Sequence, residues 1–132
     1  DDLAMVGLLR SPAVAVDDVH GDNALRMGWT MIKAAQLTLD AVMDALRKGA
    51  YYASTGPEFT DLRVEGDTVT VECSPVRKIQ FYATAPNGAQ TLATDQPLTK
   101  GVFTMKRPVA YVRVEITDAD GKQAWSPVLY FD

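Results

Sequence analysis

Hydrophobic residues follow two different patterns along the chain, and the change falls near residue 50. Before it, Ala13 to Val16 forms a continuous apolar run of the kind found in strands buried on both faces. We expect this strand to end at Asp17-Asp18. Gly28 to Ala34 indicates a second extended segment, although so short a run leaves a helix open as the alternative.

A helix is predicted between these segments and residue 50. Thr38 is suited to cap its amino terminus with a hydroxyl group, and Gly49 is suited to end it in a left-handed conformation. The apolar residues at helical spacing are Leu39, Val42, Met43 and Leu46. We expect this single apolar stripe to face a core.

From Tyr51 onward the hydrophobic period becomes two, which is typical of half-buried strands. In Thr68 to Cys73, alternate residues place Val69, Val71 and Cys73 on one face. The same alternation gives further inward residues, which are Ile79, Phe81, Ala110, Val112, Val114 and Ile116. Turn-forming residues separate these runs, so the pattern predicts about seven antiparallel strands in an immunoglobulin-like sandwich.

Composition excludes several classes of function. The 132 residues carry a net charge of −4 and show no basic block, so the sequence has no nucleic-acid footprint. No apolar run is long enough to predict a membrane span. A single cysteine excludes both an intrachain disulfide and a zinc site made of thiolates. Because the chain begins at Asp1 without an initiator methionine, we expect it to start inside a longer gene product.

Asp18 and His20 are the candidate metal ligands. In extended backbone, residues two apart project to the same side, so a strand ending at this point would present a carboxylate and an imidazole together. The alternative interpretation is a polar surface turn over Asp17 to Asn23. A hydrolase that activates water with metal ions needs more ligands than these two, and His20 is the only histidine.

The order of several short motifs resembles the end of PHP (polymerase and histidinol phosphatase) domain proteins. The motifs that carry the resemblance are Ala15-Val16-Asp17-Asp18-Val19-His20, Gly28-Trp29, Leu37-Thr38, Gly49 to Pro57, Cys73 to Val76, Val112 to Glu115 and Asp120 to Pro127. Together they cover most of residues 13 to 127. The histidine-rich motifs with which that family begins are absent.

The resemblance implies an α+β chain with two parts. Residues 1–50 would be the carboxy-terminal remnant of a PHP-type α/β metal-site barrel, and residues 51–132 an antiparallel β-sandwich that packs on the missing upstream barrel. Asp18 and His20 match the family's last Asp-x-His ligand pair. The full-length protein would hold divalent metal ions (zinc, manganese, magnesium or iron) and hydrolyse a phosphoester, whereas the isolated chain would be inactive.

The main alternative is a non-catalytic sandwich that binds carbohydrate, peptide or a protein partner. Other candidate groups favour structural roles. Cys73 is interpreted as a buried thiol rather than a nucleophile. Ser54 to Pro57 is interpreted as a turn rather than a phosphate contact, and Asp118 to Gly121 as a hairpin turn rather than a calcium loop. Trp29 and Trp125 are expected to pack rather than to form ligand platforms.

Overall fold

The computed structural model of this chain describes residues 13–84 and 88–131. In chain order the elements are β1 (Trp29–Ile32), α1 (Leu39–Arg47), β2 (Tyr51–Ser54), β3 (Phe59–Glu65), β4 (Thr68–Val76), β5 (Lys78–Ala83), β6 (Gly88–Leu92), β7 (Leu98–Thr104), β8 (Tyr111–Thr117), β9 (Gln123–Trp125) and β10 (Leu129–Tyr130). A 3-10 turn at Asp22–Ala24 precedes β1.

The strands form two sheets. The larger sheet has the order β1-β2-β9-β8-β5-β6, and β10 also pairs with β8. The smaller sheet has the order β3-β4-β7. All of these pairings are antiparallel. Strand β1, which precedes residue 50, therefore joins the same sheet as the strands that follow it.

The two sheets pack face to face around one apolar core. The alternation of β4 is confirmed, because Val69 and Val71 are fully buried and Cys73 is 6% exposed. Across the core, the rings of Phe81 and Phe103 stack with their centroids 5.5 Å apart. The core between the sheets is therefore close-packed and has little space for additional atoms.

The predicted strands after residue 50 agree with β4, β5 and β8, and Ile79, Phe81, Val112, Val114 and Ile116 are buried as expected. Ala110 differs, because β8 begins only at Tyr111 and Ala110 is exposed. One of the predicted turns between strands, Pro86-Asn87-Gly88, lies outside the described residues except for Gly88. Within the described residues, nine strands, β2 to β10, follow residue 50 and belong to a large and a small sheet, which differs from the predicted immunoglobulin-like set of about seven.

The prediction of an α/β barrel remnant in residues 1–50 is wrong for the part of that segment that the structure describes. Residues 13–19 form no strand, and the side chains of Val14 and Val16 are 61% and 74% exposed. Ala15 lies beside β1, held by its N–H and C=O groups to the Thr30 hydroxyl at 3.2 and 3.1 Å. Ala15 is thus bonded to a side-chain hydroxyl and not to the backbone of a neighbouring strand. Residues 13–50 form no parallel βαβ unit.

Helix α1 begins as predicted and packs differently from the prediction. The Thr38 hydroxyl accepts a hydrogen bond from the Ala41 N–H at 3.3 Å, and Gly49 ends the segment with a φ of 69°. The apolar stripe does not face a core along its length, since Leu39 is 77% exposed. Among the helix residues, Ala45 is buried, at 4% exposure. The helix therefore leaves much of its apolar surface uncovered.

Candidate functional site

The loop from Asp17 to Gly28 carries both predicted metal ligands, and one carboxylate closes it. Oδ2 of Asp17 accepts a hydrogen bond from the Arg26 N–H at 2.8 Å. Oδ1 accepts from the N–H groups of Met27 at 2.6 Å and Gly28 at 2.9 Å. These bonds, that from Gly28 first and those from Arg26 and Met27 after it, hold the pKa of the Asp17 carboxyl below its ordinary value, although partial desolvation opposes them.

Asp18 and His20 lie next to this carboxylate and face the same side of the loop. Their side chains are 87% and 82% exposed, and Oδ1 of Asp18 is 3.9 Å from Nδ1 of His20. The backbone of Asp18 is left-handed, with a φ of 48°. This conformation, and not a strand end, brings the carboxylate and the imidazole together.

A hydrogen bond fixes which imidazole nitrogen is available as a ligand. Nδ1 of His20 lies 2.7 Å from the main-chain oxygen of Asp18. Because a carbonyl oxygen only accepts, Nδ1 must be the donor and therefore carries a proton. In the neutral ring the lone pair is then on Nε2. Histidines that bind metals commonly have this arrangement, with the other ring N–H donated to a carbonyl or carboxylate.

The described residues supply only part of a metal site. Over residues 13–84 and 88–131, no three side chains of His, Cys, Asp or Glu come together in a way that could hold a metal ion. The imidazole and carboxylate of His20 and Asp18 are suitable donors for zinc or another divalent transition metal. Two donors fit such an ion as part of a larger ligand set, and further ligands would have to come from elsewhere.

The Ser54-Thr55-Gly56-Pro57 segment is occupied by its own hydrogen bonds. The hydroxyl of Ser54, which is fully buried, donates to the Pro57 carbonyl at 2.7 Å and accepts from the Gly56 N–H at 2.9 Å. The Thr55 hydroxyl donates to the carbonyl of Gln123 and accepts from its N–H. These contacts agree with a structural turn that connects β2 to β3 and is hydrogen-bonded to β9. Because both hydrogen bonds of the Ser54 hydroxyl are made within the turn, it is not available to bind a phosphate.

The other polar candidates also have structural surroundings. Burial raises the pKa of the Cys73 thiol to about 11, which keeps it protonated and unreactive near neutral pH. One carboxylate oxygen of Asp118 accepts hydrogen bonds from the N–H groups of Asp120 and Lys122, as in an Asx turn. Trp29 on β1 and Trp125 on β9 are half-buried, and both strands pair with β2 in the larger sheet.

A groove between the two sheets was not predicted from the sequence. It has a volume of about 540 Å³ and is lined by residues of β1, β2, β3 and β10. Its floor is largely apolar and includes Met31, Tyr52 and Phe59, with the latter two rings packed edge to face at 5.1 Å. Glu58 and Asp61 contribute acidic groups to its lining. The groove could not be predicted from sequence patterns, because its lining residues come together only through the order of the strands in the sheets.

The hydrogen bonds of the Asp17 carboxylate were not predicted from the sequence. Its partners lie nine to eleven positions further along the chain, so no local spacing rule connects them. The only signal was its place directly before the Asp18-Val19-His20 motif. The structure separates the two neighbouring aspartates, since Asp17 is engaged by main-chain N–H groups while the Asp18 side chain extends into solvent.

Comparisons with known proteins add no relative. No protein-family model, no curated protein and no solved structure matches this chain. Within the described residues, no helix has both the length and the apolar character needed to cross a membrane.

Proposed function

We propose that this chain is the carboxy-terminal part of a PHP-type metal-dependent phosphoesterase, to which it contributes Asp18 and His20 as metal ligands and the β-sandwich as an accessory module. The observation that carries the proposal is the hydrogen bond from Nδ1 of His20 to the Asp18 carbonyl, which leaves Nε2 as a solvent-facing electron-pair donor. The motif resemblance in the sequence supports the same assignment.

The distribution of apolar side chains supports an upstream metal-binding domain as the partner. The loop that carries Asp18 and His20 is flanked by exposed apolar residues, among them Val16 at 74% and Met27 at 60% exposure. Exposed apolar side chains that form a contiguous patch commonly mark an interface. A domain that covered this face would also be placed to supply the remaining ligands to the same ion.

In the proposed site, Nε2 of His20 would bind the metal as a ligand, not as a general acid or base. The Asp18 carboxylate, which lies 3.9 Å from Nδ1, would join it only after its exposed side chain turned toward Nε2. A bound divalent ion supplies a more acidic water and stabilises charge on phosphoryl oxygens. Asp18, with both carboxylate oxygens exposed, adds negative charge beside the imidazole and so favours a cation at this point of the loop.

Zinc titration of the chain tests this assignment directly. His20 is the only histidine, so long-range ¹H–¹⁵N spectra contain a single imidazole. We expect Zn²⁺ to shift the Nε2 resonance while Nδ1 stays protonated, and we expect Asp18→Asn to weaken binding at least about 10-fold. The matched control is Asp22→Asn, an exposed carboxylate in the same loop, which should bind Zn²⁺ like the unmodified chain. An imidazole spectrum that does not respond to millimolar Zn²⁺ would overturn the proposal.

The groove favours a second candidate function, the binding of an extended peptide. It lies between β1 and β3, each at the end of its sheet in the described strand order, and edge strands can accept an added strand through main-chain hydrogen bonds. A labelled peptide of alternating valine and threonine is a suitable probe. Binding that is lost in Met31→Glu and kept in Val102→Glu, an exposed site on β7, would support this function. Absence of binding by the unmodified chain would exclude it.

A further inference from the structure

We infer that the outer face of the larger sheet binds a neutral oligosaccharide, and that Trp125 provides the ring on which one sugar unit stacks. This face, called the platform, consists of the outward residues of β5, β8 and β9, which are Lys78, Gln80, Tyr82, Arg113, Glu115, Thr117, Gln123 and Trp125. Sugar binding at the platform is separate from the proposed function and does not depend on metal binding by Asp18 and His20.

Strand alternation and register bring these side chains to one face. The residues that alternate with them are buried in the core, and these are Ile79, Phe81, Val112, Val114, Ile116 and Ala124. Across the strands, Glu115 pairs with Gln80 on one side and with Trp125 on the other. An amide, a carboxylate and an indole ring therefore lie in one row, on strands about 5 Å apart.

Contacts within the platform order its polar groups. Arg113 and Glu115 form an ion pair, and their side chains are 19% and 9% exposed. The guanidinium group of Arg113 also lies over the ring of Tyr82, 5.5 Å from its centroid. Because an ion pair withdrawn from water adds little net stability, a binding role accounts for this pair better than a folding role does. The pair offers hydrogen-bonding groups whose charges cancel, which suits an uncharged ligand.

The outer face of the smaller sheet differs from the platform. Its outward residues are Asp61, Arg63, Glu65, Thr68, Thr70, Glu72, Lys100, Val102 and Thr104. This set contains no aromatic residue, and five of the nine residues are exposed. By contrast, two of the eight platform residues are aromatic, and all eight are buried or half-buried. A polar outer face is ordinary for an antiparallel sheet, so the aromatic rings and the burial are what distinguish the platform.

A neutral sugar matches this combination of groups. The faces of a sugar ring carry C–H groups that pack on an aromatic ring, and its hydroxyl groups donate and accept hydrogen bonds with amides and carboxylates. The platform contains no Val, Ile, Leu or Met side chain, so it offers little to an apolar protein surface. Strands β5, β8 and β9 are each paired on both sides, so an extended peptide cannot add a strand there.

Trp29 and Trp125, the two tryptophans of the chain, allow a direct test. They pair with the adjacent residues Ser54 and Ala53 of β2, so they lie on opposite faces of the larger sheet. In Trp29→Phe all indole emission comes from Trp125, and at least one of cellohexaose, xylohexaose and maltohexaose should shift it to shorter wavelengths. In Trp125→Phe the emission of Trp29 should not change with any of the three sugars.

Calorimetric titration of the full 132-residue chain with the same hexasaccharides measures the affinity. We expect Trp125→Ala to weaken binding at least about 10-fold, because the stacking ring is lost, and Gln80→Ala to weaken it by about 3-fold to 10-fold. Lys100→Ala, on the outer face of the smaller sheet, is the matched control and should bind like the unmodified chain.

Absence of binding by all three hexasaccharides at millimolar concentration would overturn the inference. Sugar binding that Trp125→Ala leaves unchanged, or a response of Trp29 in place of Trp125, would overturn it as well. If thermal unfolding shows that Trp125→Ala does not fold, the emission of Trp125 in Trp29→Phe and the affinity of Gln80→Ala decide. A chain that binds sugar but not Zn²⁺ would reject the proposed metal site and support the platform.

Discussion

Strands in residues 51–131 place their apolar side chains on the face that the opposite sheet covers, whereas the apolar side chains of residues 13–50 largely meet solvent. In residues 51–131, for example, Val69, Val71 and Val114 are fully buried. In residues 13–50 the exposed large apolar residues are Val14, Val16, Val19, Leu25, Met27, Met31, Ile32, Leu37, Leu39 and Met43. In the rest of the described chain they are Val64, Leu92 and Val102.

This difference in burial indicates that apolar residues have different roles in the two regions. In the sandwich they provide the free energy of folding, since each buried side chain removes apolar surface from water. In the amino-terminal segment they contribute little to the stability of this chain, because their surroundings in the folded protein are still aqueous. Because exposed apolar side chains lower solubility, we expect a partner to cover those of residues 13–50.

The largest expected effect is in the core. Phe81 is 2% exposed and its ring stacks on Phe103, so Phe81→Ala removes a large buried ring and leaves a cavity between the sheets. We expect the free energy of unfolding to fall by about 3–5 kcal/mol, as measured by urea denaturation. Phe81→Leu, which keeps most of the volume, should lose less. A loss below about 1 kcal/mol for the alanine variant would show that this part of the core is not tightly packed.

A smaller loss is expected at Gly101, where the backbone of one sheet lies close to a side chain of the other. A Cβ atom added at Gly101 would lie 2.8 Å from Cγ2 of Ile79, which is buried. Gly101→Ala should therefore force the sheets apart locally and destabilise the protein by about 1–3 kcal/mol in thermal or urea unfolding. The neighbouring change Val102→Ala, at a side chain 56% exposed, is the control and should have little effect. Equal stability of the two variants would contradict the close approach.

The sandwich was the part of the fold that the sequence predicted best, and the reason is its period. Thr68 to Cys73 alternates strictly between apolar and polar residues, which identifies both the strand and its buried face. The run from Ala13 to Val16 has no alternation. It therefore shows only that these residues are apolar, not whether a neighbouring strand covers them, and the structure leaves Val16 exposed.

The order of the strands in each sheet could not be predicted from the sequence. Strand β9 has three residues, too few to show a period, yet it joins β2 to β8 in the larger sheet. For the candidate site, the spacing of Asp18 and His20 predicted that their side chains lie close together. The reason given was wrong, because a left-handed turn and not an extended strand brings them together. The hydrogen bonds of Asp17 are made with residues 26–28 across the loop, so no local sequence pattern predicted them.

Alkaline pH should weaken the sandwich through one thiol. Burial raises the pKa of Cys73 from 9.0 to about 11, so the folded state favours the neutral thiol. Stability from this source is present below pH 9 and is lost as the pH rises toward 11, because the unfolded chain releases its proton first. The loss should be on the order of 2 kcal/mol across this window. Cys73→Ala should lack this component in urea unfolding measured at several pH values, and an identical pH profile for both proteins would contradict it.

The smallest effect is expected for a substitution in residues 13–50. Comparing it with the same substitution in the sandwich tests directly whether apolar side chains in the two regions differ in burial. Val16→Ala and Val114→Ala each remove the two γ methyl groups of a valine, at residues that are 74% and 0% exposed. We expect Val114→Ala to cost about 2 kcal/mol in urea unfolding, and Val16→Ala to cost less than about 0.5 kcal/mol. Because the chemistry is identical, the difference between the two values measures burial alone. A cost of about 2 kcal/mol at Val16 would mean that this side chain is covered in the free chain, which would remove the argument that a partner must cover it.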